Sequence, residues 1–109
     1  DKLILISDAL FLSKKVKTFK WDEFNARLVD NFYKNEEGNL AGAAISMADA
    51  VRNAVLHLDV PVREAIKMAT CRPAKAISMD KKTGSIKPGF PAGFVKFSDN
   101  LALIEAMVL

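Results

Sequence analysis

The period of hydrophobic and polar positions changes along the chain, and each change predicts an element. Leu3-Ile4-Leu5-Ile6 is a short unbroken apolar run that leads into Ser7-Asp8-Ala9. Its brevity and its Ile content predict a strand covered on both faces, the kind found in parallel sheets. Leu10, Phe11 and Leu12 follow with no helical period, and then Lys15-Val16-Lys17-Thr18-Phe19-Lys20-Trp21 alternates as a half-exposed strand does. Ala26 to Tyr33 alternates less regularly and is followed by the turn-forming Asn35-Glu36-Glu37-Gly38-Asn39, so these segments predict two strands of a small antiparallel excursion. From Ile45 the spacing becomes three and four: Ile45, Met47, Ala48, Val51, Ala54, Val55 and Leu58 share a face, while Asp49, Arg52 and Asn53 lie on another. That is an amphipathic helix. Val60-Pro61 breaks it, and Pro61 suits the first turn of a second helix carrying Val62, Ala65, Ile66 and Ala69, with Glu64 at the favourable end of the dipole. Arg72-Pro73 is expected to end that helix, with one further short turn from Ala74 to Ile77. Thr83 to Gly89 sets two glycines around Lys87 and Pro88, as a tight turn between strands would, and Phe94 to Phe97 and Leu101 to Leu109 read as two short strands.

Composition narrows the class. A chain of 109 residues, half of them hydrophobic, is one small globular domain. The net charge of +3 comes from 16 basic against 13 acidic residues, and the densest basic cluster, Lys14, Lys15, Lys17 and Lys20, reads as a solvated face. Without an Arg-rich or aromatic-interleaved stretch, a nucleic-acid role has little support. The lone Cys71 excludes an internal disulfide framework and fits a reducing compartment, and no leader or membrane-length apolar run is present, so the expectation is cytoplasmic with no membrane partner. Asp1-Lys2 stands directly before a buried-type strand and Leu101 to Leu109 is largely apolar, which predicts an interior piece whose ends are covered by something else.

Candidate chemistry starts at Asp8. An acid at the C-terminal mouth of a buried strand sits where open α/β sheets and barrels collect their active sites. A Ser-Asp pair after a strand is also a common cap or turn former. A metal site built from this chain alone is excluded by its single His57 and single Cys71, because zinc needs three or four close ligands. His57, between Leu56 and Leu58, reads as a surface or partly buried residue. Nothing local activates Cys71, so a small buried residue at a helix end is preferred to a Cys71–His57 nucleophilic pair. Gly38-Asn39-Leu40-Ala41-Gly42 brackets a helix entry with two glycines, whose free N–H groups suit a polar or anionic ligand, although glycine also serves turn geometry alone. Met47, Met68, Met79 and Met107 read as packing.

In order, these pieces are similar to one family, the N-acetylglucosamine-6-phosphate deacetylases of the metal-dependent amidohydrolase superfamily. The pieces are the strand ending Ser7-Asp8-Ala9, then Glu37-Gly38-Asn39-Leu40-Ala41-Gly42-Ala43, the Val51-Arg52-Asn53 helix, Met68-Ala69-Thr70 with Pro73-Ala74, and Gly84-Ser85-Ile86-Lys87-Pro88-Gly89. The resemblance implies an α/β fold: residues 1–79 would be the end of a (β/α)8 TIM barrel (last strand, β excursion, helices), and 80–109 the C-terminal strands of a small β-sandwich domain. It implies hydrolysis of N-acetyl-D-glucosamine 6-phosphate to D-glucosamine 6-phosphate and acetate in amino-sugar catabolism, by a homodimer using a divalent metal, zinc or iron. Asp8 would be the catalytic acid and the one residue here able to touch the metal; Leu40, Ala41 and Gly42 would contact the amino-sugar phosphate. The His-x-His pair, the metal-binding Glu and the later His ligands are absent, so the chain alone is expected to be inactive. Two positions depart from the family pattern: Ala41 stands where Ser is frequent, and Ala92-Gly93 lacks a common carboxylate. The rivals are another amidohydrolase, such as a deaminase or cyclic amidase, and a non-catalytic domain that binds a partner through its apolar ends.

Overall fold

The computed structural model describes residues 2–10, 16–22 and 24–108. It is a mixed α/β structure of two compact units, Ser7–Ser46 and Asp1–Ile6 with Met47–Leu109.

The first unit is a sheet of four sequential antiparallel strands, β1 (Thr18–Trp21), β2 (Phe24–Val29), β3 (Phe32–Lys34) and β4 (Leu40–Ala43). The single strand expected from Ala26 to Tyr33 is split by Asp30-Asn31. Both residues take positive φ, 49° and 68°, between the paired Val29 and Phe32. That is the two-residue hairpin turn whose twist matches the strands it joins, and Asp and Asn tolerate it. The Asn35–Asn39 turn forms as expected: the Asn39 N–H donates to Asn35 Oδ1 at 2.8 Å, and Gly38 supplies a φ of 85°. Leu40–Ala43 is a strand, where the glycine spacing suggested a helix entry. One face of the sheet carries the core. Tyr33 is fully buried beside Ala26 and Ala44, with Leu10, Leu28 and Ala41 around them, and its hydroxyl donates to Val16 O at 2.7 Å.

The second unit holds α1 (Met47–Leu58), α2 (Val62–Ala69), α3 (Cys71–Ala76) and the antiparallel hairpin β5 (Gly93–Phe97) and β6 (Leu103–Val108). The apolar stripe of α1 meets α2 through Val51, Ala54 and Ala65, and Leu5, Val55, Val60 and Ala69 pack on them. Asp59 ends α1 in a left-handed conformation, φ 52°, and the Val60 N–H returns to Ala54 O at 3.1 Å. Arg72-Pro73 does not end α2. The break falls at Thr70, and Pro73 lies in the first turn of α3, where its missing N–H costs no helical hydrogen bond. The Thr83–Gly89 turn joins no preceding strand among the described residues. It lies against α3: a Cβ on Gly84 would fall 2.8 Å from Ala74 Cβ and 3.0 Å from Thr70 O, so only glycine fits.

The opening apolar run departs from its expected burial. Leu3 is 69% and Ile6 75% exposed, and no ladder includes Leu3 to Ile6 among the described residues. A both-faces-covered strand needs neighbours on each side, and among the described residues the run's hydrogen bonds are the Leu5 N–H to Met68 O bond, 3.0 Å, and one from Arg72 Nη1 to Leu3 O, 3.5 Å. No helix among the described residues is long and apolar enough to cross a membrane.

Candidate active site

Asp8 and the Leu40–Gly42 segment, 32 to 34 positions apart in the sequence, are neighbours in the Ser7–Ser46 unit. The Ala43 N–H donates to Asp8 O at 2.8 Å, the Leu10 N–H donates to Ala43 O at 3.4 Å, and Ala9 bridges Ala43 in parallel register. The chain around Asp8 therefore lies along β4. Ser7 does the turn-forming work anticipated for the Ser-Asp pair, its Oγ accepting the Ala9 N–H at 3.4 Å. Asp8 itself takes φ 48°, a left-handed conformation that Asp enters more readily than most residues. It is exposed, and its carboxylate has no hydrogen bond or ion pair among the described residues. A carboxylate held by its backbone and left without a partner is available for a ligand.

Gly42 accounts for the close approach. Its φ is 135°, and a Cβ there would sit 3.1 Å from Asp8 O and 3.3 Å from Leu10 Cβ. The residue at this position is thus the spacer against the Asp8 backbone. Leu40 is 65% exposed, whereas Ala41 is half-buried against the Tyr33 cluster and Gly42 is buried. The free N–H groups expected of a helix entry are not all free. The N–H groups of Asn39 and Ala43 are taken by Asn35 Oδ1 and Asp8 O, and the helix begins only at Met47.

The remaining candidates belong to the other compact unit. His57 is exposed near the end of α1, and Cys71 is half-buried at the start of α3 with its thiol directed to Lys67 O at 3.8 Å. No group of three His, Cys, Asp or Glu residues among those described could hold a metal ion. Sequence reasoning missed the charge cluster on α2 and α3. Glu64 bonds Lys67 at 2.6 Å and also pairs with Arg72, whose guanidinium reaches Leu3 O. The Lys67 ammonium first, and then Arg72, hold the Glu64 carboxyl below its usual 4.5 against the opposing effect of desolvation. The Glu64–Lys67 half was legible as an i,i+3 pair; the Arg72 half depends on the break at Thr70.

The amidohydrolase family matches residues 8–108, beginning at Asp8 and running through the helices to β6. The chain belongs to the amidohydrolase family. This amidohydrolase chain is 28% identical, over 99% of its length, to the N-acetylglucosamine-6-phosphate deacetylase of Haemophilus influenzae. Over 62% of its length it is 40% identical to an N-acetylgalactosamine-6-phosphate deacetylase of Escherichia coli. The crystal structure of the N-acetylglucosamine-6-phosphate deacetylase from Pasteurella multocida superposes on 98% of the chain with a TM-score of 0.89 and 31% identity. The resemblance carried by the ordered motifs is therefore borne out. The amidohydrolase chain spans 29% of the Haemophilus relative's length and 28% of the Pasteurella one's.

Proposed function

We propose that the protein containing this chain hydrolyses the acetamide of an N-acetylhexosamine 6-phosphate, releasing the amino-sugar phosphate and acetate, with N-acetyl-D-glucosamine 6-phosphate as the substrate. The observation that carries this reading is the juxtaposition of Asp8 with Gly42, the two parts of the chain that the family resemblance makes catalytic and substrate-binding. Asp8 takes a proton from the attacking water as the C–O bond forms and gives it to the departing amine nitrogen as the C–N bond breaks, so one carboxylate serves as base and then as acid. Its unpartnered carboxylate fits one position of a divalent metal site, for zinc or iron, and no other described residue joins it there. Such a metal would supply polarisation of the acetyl carbonyl and a lowered pKa for water. Leu40, Ala41 and Gly42 line the sugar phosphate.

In this reading residues 1–79 close a TIM barrel and 80–109 add strands to a small β-domain. The remaining metal ligands come from the rest of a cytoplasmic homodimeric enzyme of amino-sugar catabolism, and the 109 residues alone are inactive. Asp8→Asn in the full-length protein is expected to lower turnover by about 10²–10⁴-fold while substrate binding by calorimetry persists. Unchanged turnover sinks the role of Asp8. Ammonia release in place of acetate would favour a deaminase. The 40% identity to the Escherichia coli relative supports a second reading, the galactosamine epimer, and acetate release from the two epimers in parallel separates them.

A further inference from the structure

We propose that the polar face of the β1–β2–β3 sheet is a binding groove for a small phosphate-bearing anion. The strand register decides which side chains share this face. Thr18 pairs with Arg27, Lys20 with Asn25 and Arg27 with Lys34, so these five residues project together, opposite the face that buries Ala26 and Tyr33. They line an open cavity of about 420 Å³, within the range of small-molecule sites.

The charges in that cavity are unbalanced. Arg27 and Lys34 stand directly across the β2–β3 ladder, where like charges repel and opposite charges are the stabilising choice. Lys20 adds a third cation on the next strand. Among the described residues none of these three side chains has a hydrogen bond or ion pair. The lining contains one acid, Glu36, and its Oε1 accepts a hydrogen bond from Asn25 Nδ2 at 2.7 Å instead of neutralising a cation. The unfilled need of this groove is therefore negative charge with several acceptor oxygens.

A phosphate group meets that need better than a carboxylate. The Arg27 guanidinium can bind two of its oxygens in parallel, while the ammonium groups act as point charges. The Thr18 hydroxyl and the Asn35 amide, which also line the cavity, offer hydrogen bonds to the rest of a sugar-sized molecule. The openness of the groove keeps the affinity modest and dependent on salt.

The test is calorimetric titration of the full-length protein with ribose 5-phosphate, and with neutral ribose as the control. An Arg27→Glu/Lys34→Glu double variant is titrated in parallel, its fold checked by circular dichroism. The expected result is saturable binding of ribose 5-phosphate, none of ribose, and at least a tenfold loss in the double variant with acetate release unchanged. Arg27→Lys should lose less than Arg27→Glu. Equal binding of ribose, or unchanged binding of ribose 5-phosphate by a folded double variant, overturns the proposal. So does a groove that takes only a polyanion such as heparin. Acetate release is read separately, so loss of the deacetylase assignment and loss of this site give different results.

Discussion

At the scale of single residues, the geometry around Asp8 depends on an atom that is not there. Gly42 lacks the Cβ that would press within 3.1 Å of Asp8 O, and its φ of 135° is one that other residues rarely adopt. Gly42→Ala is expected to displace the Asp8 backbone by a few tenths of an ångström or to shift β4. On the role proposed for Asp8, this should lower kcat of the full-length protein by up to about a hundredfold, because small misplacements of a reacting group carry large rate penalties. The kinetic check is whether kcat falls more than KM rises, with the fold intact by circular dichroism; wild-type kcat would refute the spacer role. Asp8 itself was legible in the sequence as an abrupt acid after an apolar run. The role of Gly42 was not, because its need for glycine comes from a neighbour 34 positions away, whereas a Gly-containing loop reads equally well as a turn.

At the scale of elements, Glu64 ties α2 to α3 through Lys67 and Arg72. Its carboxyl is held below its usual value of 4.5 in the folded state, so its stabilising contribution is present above that value and is lost as the pH falls through the folded one. Thermal unfolding of the full-length protein from neutral pH to below 4.5 should show Glu64→Gln less stable at the neutral end, with the gap closing in acid and shrinking with salt, since Glu64 and Lys67 are partly exposed. A gap constant with pH would assign the effect to something other than this charge. The helices were legible from the three-and-four spacing of α1 and from Pro61, and β5 and β6 from their apolar runs. The reading failed where one residue could punctuate in two ways. Pro73 ends a helix or begins one, and Thr70 decides which; Asp30-Asn31 turns the chain only because Val29 and Phe32 pair across it.

For the whole molecule, burial among the described residues is shallow for their apolar content. The buried ones among them are mostly alanines, Ala26, Ala44, Ala50, Ala54, Ala65 and Ala74, while Leu3 at 69%, Ile6 at 75% and Val108 at 90% stay exposed. Alanine removes little apolar area from water, so the two cores supply little of the driving force that ordering a chain of this length requires. Residues 1–109 produced alone are expected to self-associate and to melt without cooperativity. Size-exclusion chromatography with circular dichroism melting checks this, and a soluble, cooperatively melting monomer would contradict it. The exposed apolar run at Leu3 to Ile6 is where reading by pattern and reading by structure part. The pattern reports what a segment is built to be covered by, and the structure reports only the cover that these residues supply.

Between Asp8 and Gly42 the chain runs out through β1, β2 and β3 and returns, and the bonds from Ala43 to Asp8 and from Leu10 to Ala43 fasten its two roots side by side. Divergence among related proteins then has an uneven cost along this stretch. A change of length or charge in the hairpins between the roots does not touch the backbone contacts that set the register at the base. On the role proposed for Asp8, the roots would keep the chemistry while the hairpins are free to take up new recognition.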